Sequence, residues 1–582
     1  MYTILENARI VLALLKKHNI RHIVLSPGGS NIPIVQGVQQ DPFFKCYSVV
    51  DERSAMYFAI GLYLQTGEII ATSCTSAQAT RNYLPGLTEA FYKHVPILAI
   101  TMSKHPMYLG QDYMQCPIQT SLPIDAVKKS FSLPCINTAQ ERYQCIRTAN
   151  EAILELTHNG NGPVQLNIEE LDSQTWLFDN NILALPDVRS IRRFYTINGE
   201  GEDLKNKKIM LLIGEHRPFS ALEIKAINLF CELHDVFVYT NHISNFYNNY
   251  SLCANIVAST ITEKLFIEKL KPDILLSIGG LTGDYAIYHK LFNSPDGSFE
   301  HWRIDFDGRV VDTYNKLTRI YKMDLETFFG GFTENNAHDH SFYKAWFELY
   351  NTIDFNIDIP FSNLYAAQKM HNRLPHDCKI HFAILNSLRT WSYMPLAQGI
   401  QASSNVAAFG IDGGLSTIIG QSVETDSLCF HVTGDLSFFY DMNALGIRHI
   451  KNNLRVLLIN NNGGMEFKFG DLPSKTDVES YIAADNHFKN AKGWAETNGF
   501  IYLQASNKVD FEMNIETFLS DSSSPILFEL FISPSDEKKA NHKFIMKNMK
   551  GVKGEKFSYV IKKEVKKIIG QSNIERLKNV LK

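Results

Sequence analysis

Two short stretches place side chains that could hold a charged ligand. GDLS (434–437) ends the apolar run SLCFHVTG, and NNNGG (460–464) ends the apolar run VLLIN. Both runs read as buried strands, with a helix-like segment, Tyr440–Ile450, between them. Adjacent parallel strands set their carboxyl-end loops side by side, where ligands bind in doubly wound sheets, so Asp435 and Asn462 can face one site. An ordinary turn needs one Gly or Asn to reach positive φ, and five such residues in a row exceed that need. A carboxylate, an amide oxygen and a backbone carbonyl are hard oxygen ligands, suited to Mg²⁺ already carried by a diphosphate. Gly434 lets the backbone come close to such a ligand. The Ser437 hydroxyl and the N–H groups at the helix start, Leu436 among them, suit a phosphate.

A second group lies near the start of the chain. DERSA (51–55) follows an apolar run and puts Glu52 at the end of a strand or the start of a helix. Taken alone, Glu52 is equally a helix-start carboxylate favoured by the dipole. Around it stand SPGGSNIPI (26–34), CTSAQATRNYLPGLTEAF (74–91) and GQDYMQ (110–115).

These loops need a scaffold of sheets. The chain has 582 residues, long enough for about three or four domains. With 45% hydrophobic and 20% charged residues it has the composition of a globular protein, and a net charge of −4 gives no pointer to nucleic acid. Nine cysteines without a C-x-x-C pair argue against zinc and against a disulfide framework. MYTILENARIVLALLKKHNI lacks the order of a signal peptide, and no apolar run reaches the ~18–20 residues of a membrane span, so a cytoplasmic enzyme is expected.

Strands and helices alternate throughout, which predicts an α/β protein of three doubly wound parallel-sheet domains. The first covers 1–180 (strands HIVLSP, IIATSC, PILAIT and PVQLNI, with a helical segment Asn82–Tyr92). After a polar linker the second covers 206–335, and the third covers 371–540 and includes the strand KIHFAIL. IGEHRP (213–218) is not a G-x-G-x-x-G turn, so no nucleotide is predicted in the middle domain. Residues 541–582 are lysine-rich with apolar residues at helical spacing (Val560, Ile561, Val565, Ile568, Ile569), which reads as a solvated amphipathic helix or as one that contacts a membrane surface or a partner.

GDLSFFYDMNAL followed by NNNGG resembles the metal–diphosphate motif of thiamine-diphosphate enzymes. The four N-terminal stretches resemble, in order and spacing, the pyrimidine-binding domain of that family. The resemblance spans nearly the whole chain except the basic tail. It is closest to the branch of 2-succinyl-5-enolpyruvyl-6-hydroxy-3-cyclohexene-1-carboxylate synthases, through DERSA, NYLP, NSL (386–388), SN…GIDG (404–413) and both metal stretches.

What the resemblance implies is specific. Asp435, Asn462 and the Gly464 carbonyl hold Mg²⁺, and Gly434, Leu436 and Ser437 line the diphosphate, as does the loop Asn386, Ser387, Leu388. Ile411, after Gly410, bends the cofactor into a V, while Pro27 and Asn82 belong to the pyrimidine loops. Glu52 presses on the aminopyrimidine ring and so promotes removal of the C2 proton. Gln115 faces the reacting carbon. The family builds its sites between subunits, which implies a homodimer or homotetramer.

The resemblance also fails in places. The synthase branch uses 2-oxoglutarate and isochorismate, whose carboxylates call for arginines. The three positions where the branch carries arginine hold Ser30, Trp391 and Val406 here. Lys104 or His105 could stand in for one cation, and Arg389 could compensate. These departures predict a smaller, more apolar donor pocket, and hence decarboxylation of pyruvate or another small 2-oxo acid with transfer to an unidentified acceptor. Two alternatives stand beside that expectation: the synthase reaction itself, and a non-catalytic cofactor-binding regulatory protein.

Overall fold

The computed structural model describes residues 2–171, 178–179, 181–182, 184–197, 201–333, 338–469 and 478–550. The basic helix expected over 541–582 lies largely outside them, since the helix Pro534–Asn548 is described and 551–582 are not. The chain divides into two compact units, one of residues 1–195 with 307–322, the other of 196–306 with 323–582.

The first unit is built on a six-stranded parallel sheet. Its strands lie in the order Lys45–Ser48, His22–Leu25, Ile70–Cys74, Ile97–Lys104, Val164–Glu170, Ser130–Leu133. Alternation along a strand sends neighbours to opposite faces. Ile23 and Leu25 accordingly join the core under the helices Glu6–Lys17 and Ala139–Glu155, while Val24 joins the core under Glu52–Thr66 and Leu84–Tyr92. With both faces covered, the strands can be apolar throughout.

The second unit carries two more parallel sheets. One has the order Ser251–Cys253, Val236–Thr240, Ile209–Ile213, Ile274–Ile278, Glu300–Ile304. The other runs Gln401–Ser404, Lys379–Phe382, Cys429–Gly434, Leu454–Asn460, Ile526–Phe531, Ile501–Ala505. The α/β, parallel-sheet reading of the sequence therefore holds. Among the described residues no helix is long and apolar enough to cross a membrane.

Three local expectations are refined. The strand expected over KIHFAIL stops at Phe382, because Leu385 takes φ 63° and turns the chain into the helix Asn386–Trp391. The segment Asn82–Tyr92 is split: a short helix Gln78–Asn82 ends before Tyr83, and Pro85 stands in the first turn of the helix Leu84–Tyr92, where its missing N–H is not needed. The helix after GDLS starts at Asp435 and closes at Asp441, passing into a 3₁₀ turn over Met442–Gly446.

Candidate active site

In the third sheet the order of strands reverses between Lys379–Phe382 and Cys429–Gly434, so the loops at their carboxyl ends flank a topological switch point. Asp435 leaves one of these strands directly into a helix. Its carboxylate is buried: Oδ1 accepts from the Leu436 N–H at 2.7 Å, and Oδ2 accepts from the Gly463 N–H at 3.0 Å. That second bond joins GDLS to NNNGG. The loop that makes it is tightly built. Asn462 has φ 66°, and its Oδ1 accepts from the Phe488 N–H at 2.7 Å. Gly463 has φ 151°, and a Cβ there would stand 2.4 Å from Asp485 Oδ1, so only glycine fits. The Gly464 carbonyl accepts from the Phe467 N–H at 3.2 Å.

Sequence reasoning missed His487, whose Nε2 lies 3.0 Å from Asp435 Oδ2. Burial raises the Asp435 pKa above the ordinary carboxylate value, while His487 and the Gly463 and Leu436 N–H groups pull it down. A buried carboxylate, an amide oxygen and a backbone carbonyl form a donor set of the right hardness for Mg²⁺, and Asp435 Oδ1, Asn462 Oδ1 and the Gly464 carbonyl oxygen each keep a lone pair beyond the bond described. The buried Asn461 Oδ1, without a hydrogen-bond partner among the described residues, adds spare acceptor capacity to the same loop.

The remaining residues expected at the diphosphate collect around this switch point. Ser437 Oγ donates to the Ile411 carbonyl at 2.6 Å, tying the start of the Asp435 helix to the loop of Gly410 and Ile411. Ser387 and Leu388 are buried on the short helix Asn386–Trp391. Asn386 Oδ1 accepts from Thr390 Oγ1 at 2.8 Å, and its Nδ2 reaches Oε1 of Glu537 at 3.5 Å. Glu537, on the helix Pro534–Asn548, is another residue the sequence did not single out. Its other oxygen accepts from the Asn363 N–H at 2.8 Å, and burial pushes its pKa up to about 7.

The first unit has a switch point of its own, between His22–Leu25 and Ile70–Cys74. The SPGGS and CTSAQ loops meet there. Ser30 is buried with its hydroxyl on Thr75 Oγ1, and the exposed Pro27 precedes Gly28, where a Cβ would stand 2.7 Å from Thr75 Cβ. Glu52 opens the helix Glu52–Thr66, capped by Asp51, whose side chain accepts from the Arg53 N–H at 3.0 Å. Glu52 Oε2 accepts from Asn82 Nδ2 at 3.0 Å, which brings two of the expected cofactor residues together. Gln115 stands exposed on its loop with φ 57°. Gln119, four residues on, is the one that turns inward, accepting from the Ala77 N–H at 2.9 Å and donating to the Met102 carbonyl at 2.8 Å.

The residues expected to form a rebuilt donor pocket lie in both units, Ser30, Lys104 and His105 in the first and Trp391 and Val406 in the second. Trp391 is fully buried, with Nε1 donating to Asn363 Oδ1 at 3.0 Å and its carbonyl accepting from His242 at 2.8 Å. Val406 is also fully buried. Lys104 Nζ lies 3.7 Å from the buried Glu170, and His105 Nδ1 accepts from the Met107 N–H at 3.2 Å.

Residues 6–122 match the family described as thiamine pyrophosphate enzyme, N-terminal TPP binding domain. A 2-succinyl-5-enolpyruvyl-6-hydroxy-3-cyclohexene-1-carboxylate synthase of Bacteroides thetaiotaomicron is 34% identical over 552 residues, covering 91% of this chain and 96% of the relative. The chain belongs to the thiamine-diphosphate enzymes. Within them it is close to the synthases of that name: those of Phocaeicola vulgatus and Bacteroides fragilis are 34% and 31% identical, each over more than nine-tenths of both chains. Like its family, the chain is an enzyme of C–C bond formation that uses thiamine diphosphate.

Proposed function

We propose that this thiamine-diphosphate enzyme carries out the reaction named by its relatives, decarboxylating 2-oxoglutarate and joining the remaining fragment to isochorismate, with Mg²⁺ as the second cofactor and a homodimer or homotetramer as the working form. The observation that carries the reading is likeness to the synthases along almost their full length, 96% of the first relative. Trp391 and Val406, on which the expectation of a smaller donor pocket rests, are both fully buried.

When bound, thiamine diphosphate supplies a nucleophilic carbon for the keto group and an electron sink for the departing CO₂. The chain's part is positioning and proton control. Asp435, Asn462 and the Gly464 carbonyl are the residues that would hold Mg²⁺, with the Gly463 N–H fixing the Asp435 carboxylate toward that loop. Asn386, Ser387 and Ser437 would bind the diphosphate, and Ile411 would shape the cofactor. Glu52, oriented by Asn82, would hold the proton at the aminopyrimidine ring, and Gln115 would stand beside the reacting carbon.

A second reading, a small donor such as pyruvate with another acceptor, draws on the SPGGS loop, where Ser30 spends its hydroxyl on Thr75 and no cation is present. The deciding experiment measures CO₂ release from a panel of 2-oxo acids with and without isochorismate. Isochorismate-dependent release from 2-oxoglutarate supports the proposal. Release from pyruvate with none from 2-oxoglutarate replaces it by the second reading.

A further inference from the structure

Arg389 stands one residue beyond Asn386–Leu388, on the short helix at the switch point, and three observations define its guanidinium. Its Cζ lies 4.4 Å from the centroid of the Tyr285 ring. Nη1 donates to both oxygens of Glu466, at 2.7 and 2.9 Å. Nε and Nη2 are buried and have no hydrogen-bond partner among the described residues. Glu466 therefore takes a single nitrogen and leaves the whole Nε–Nη2 edge unused. That edge is the planar fork that matches a carboxylate with two parallel hydrogen bonds.

The surroundings belong to the same set of loops. Glu466 lies two residues after Gly464, in the turn Met465–Lys468. Tyr285 meets Phe409, which has φ 60° and stands two residues before Ile411, at a ring distance of 6.3 Å. The loops bearing Asn386 and Gly464 thus meet at this guanidinium, and the loop bearing Ile411 reaches the Tyr285 ring on which it stacks. Stacking on Tyr285 and the bond to Glu466 hold it in a fixed plane, so little side-chain freedom is left to lose when a ligand arrives. Leaving buried N–H groups unpaired is costly, and a carboxylate on that edge would satisfy two of them.

We infer that Arg389 is a specificity-determining residue whose Nε–Nη2 edge binds the distal carboxylate of a dicarboxylic 2-oxo acid. The choice between the donor's two carboxylates follows from the chemistry. The carboxylate next to the keto group loses its charge as CO₂ leaves, and an arginine clamped on it would stabilise the ground state against that loss. The carboxylate that keeps its charge throughout can be gripped without penalty. This inference rests on the proposed reaction for the name of the donor, and the test separates the two.

The full-length enzyme with thiamine diphosphate and Mg²⁺ is compared as wild type, Arg389→Met and Arg389→Lys. Calorimetry measures binding of glutarate, a dicarboxylate that cannot react, and of butyrate. CO₂ release is measured from 2-oxoglutarate and from 2-oxobutyrate, and thiamine diphosphate affinity is measured as a check on folding. In Arg389→Met, glutarate affinity should fall about 10- to 100-fold, the loss of a charged bidentate contact. The KM for 2-oxoglutarate should rise alongside it, with kcat, butyrate binding, 2-oxobutyrate kinetics and cofactor affinity little changed. Lysine, a point charge without the fork, should recover part of the loss. Unchanged glutarate affinity, absence of glutarate binding in the wild type, or equal losses for glutarate and butyrate would overturn the inference. Equal losses of glutarate binding when isochorismate is already bound would assign the contact to the donor, and loss only of isochorismate binding would overturn it in favour of the acceptor. If no 2-oxo acid releases CO₂ while glutarate binding still depends on Arg389, the proposed reaction fails and the role of Arg389 stands.

Discussion

Glu537→Gln tests whether the carboxyl group beneath the Asn386 helix is stored in the fold as a neutral acid. Glu537 is fully buried, and among the described residues its carboxylate is bonded by the Asn363 N–H at 2.8 Å and Asn386 Nδ2 at 3.5 Å, neither of them a cation. Burial outweighs both hydrogen bonds and lifts its pKa from 4.5 to about 7. A carboxyl whose folded pKa is raised contributes stability that is fully present below pH 4.5. That contribution drains away as pH climbs through 7, where the buried group must ionise. At 1.36 kcal/mol per pH unit, the full swing between the two limits is about 3 kcal/mol. Glutamine stays neutral at every pH and escapes the loss, though its NH₂ group must be accommodated beside Asn386. That fixed offset is the same at all pH values, so the quantity to read is the difference between pH 5 and pH 8. Thermal melts of wild type and variant in matched buffers should show the variant gaining a few degrees relative to wild type on going from pH 5 to pH 8. An equal Tm difference at both pH values, or a relative loss at pH 8, would refute the reasoning that Glu537 is held neutral.

Three further outcomes are expected. Glu52→Gln should slow C2 hydrogen–deuterium exchange of bound thiamine diphosphate by about 10²-fold or more, followed by NMR; an unchanged rate would remove Glu52 from proton transfer. Gly463→Ala should lower Tm and weaken Mg²⁺-dependent cofactor binding, because its Cβ would press on Asp485 Oδ1 at 2.4 Å and on the Ala483 carbonyl at 2.9 Å at a φ of 151°. Trp391→Phe should destabilise by about 1–3 kcal/mol in a melt through the unpaired Asn363 Oδ1, and tolerance of the change would mean the indole bond counts for little.

Much of the scaffold was legible because its signals are local. The strands are short apolar runs bounded by glycine, asparagine or proline, and regular alternation with helices dictates parallel sheets. Asp435 and Asn462 could be paired from the sequence for the same reason: their strands follow one another across a single crossover and lie side by side. The direction of individual side chains was another matter. Trp391 and Arg389 are two residues apart on one short helix, and helix geometry sends them to different sides, one into the core and the other to Tyr285 and Glu466.

The amino-acid sequence by itself determined the α/β sheets and the pairing of GDLS with NNNGG, since both follow from periodicity and from neighbours along the chain, and its motifs carried the family resemblance that points to the cofactor class. Tertiary structure alone decided the bond of His487 to Asp435, the burial of the Glu537 carboxyl beside Asn386, and the Arg389–Glu466 pair formed across 77 positions. Such contacts leave no period in the sequence. They exist because separate strands end on the same side of one sheet, and only packing fixes which of their side chains meet.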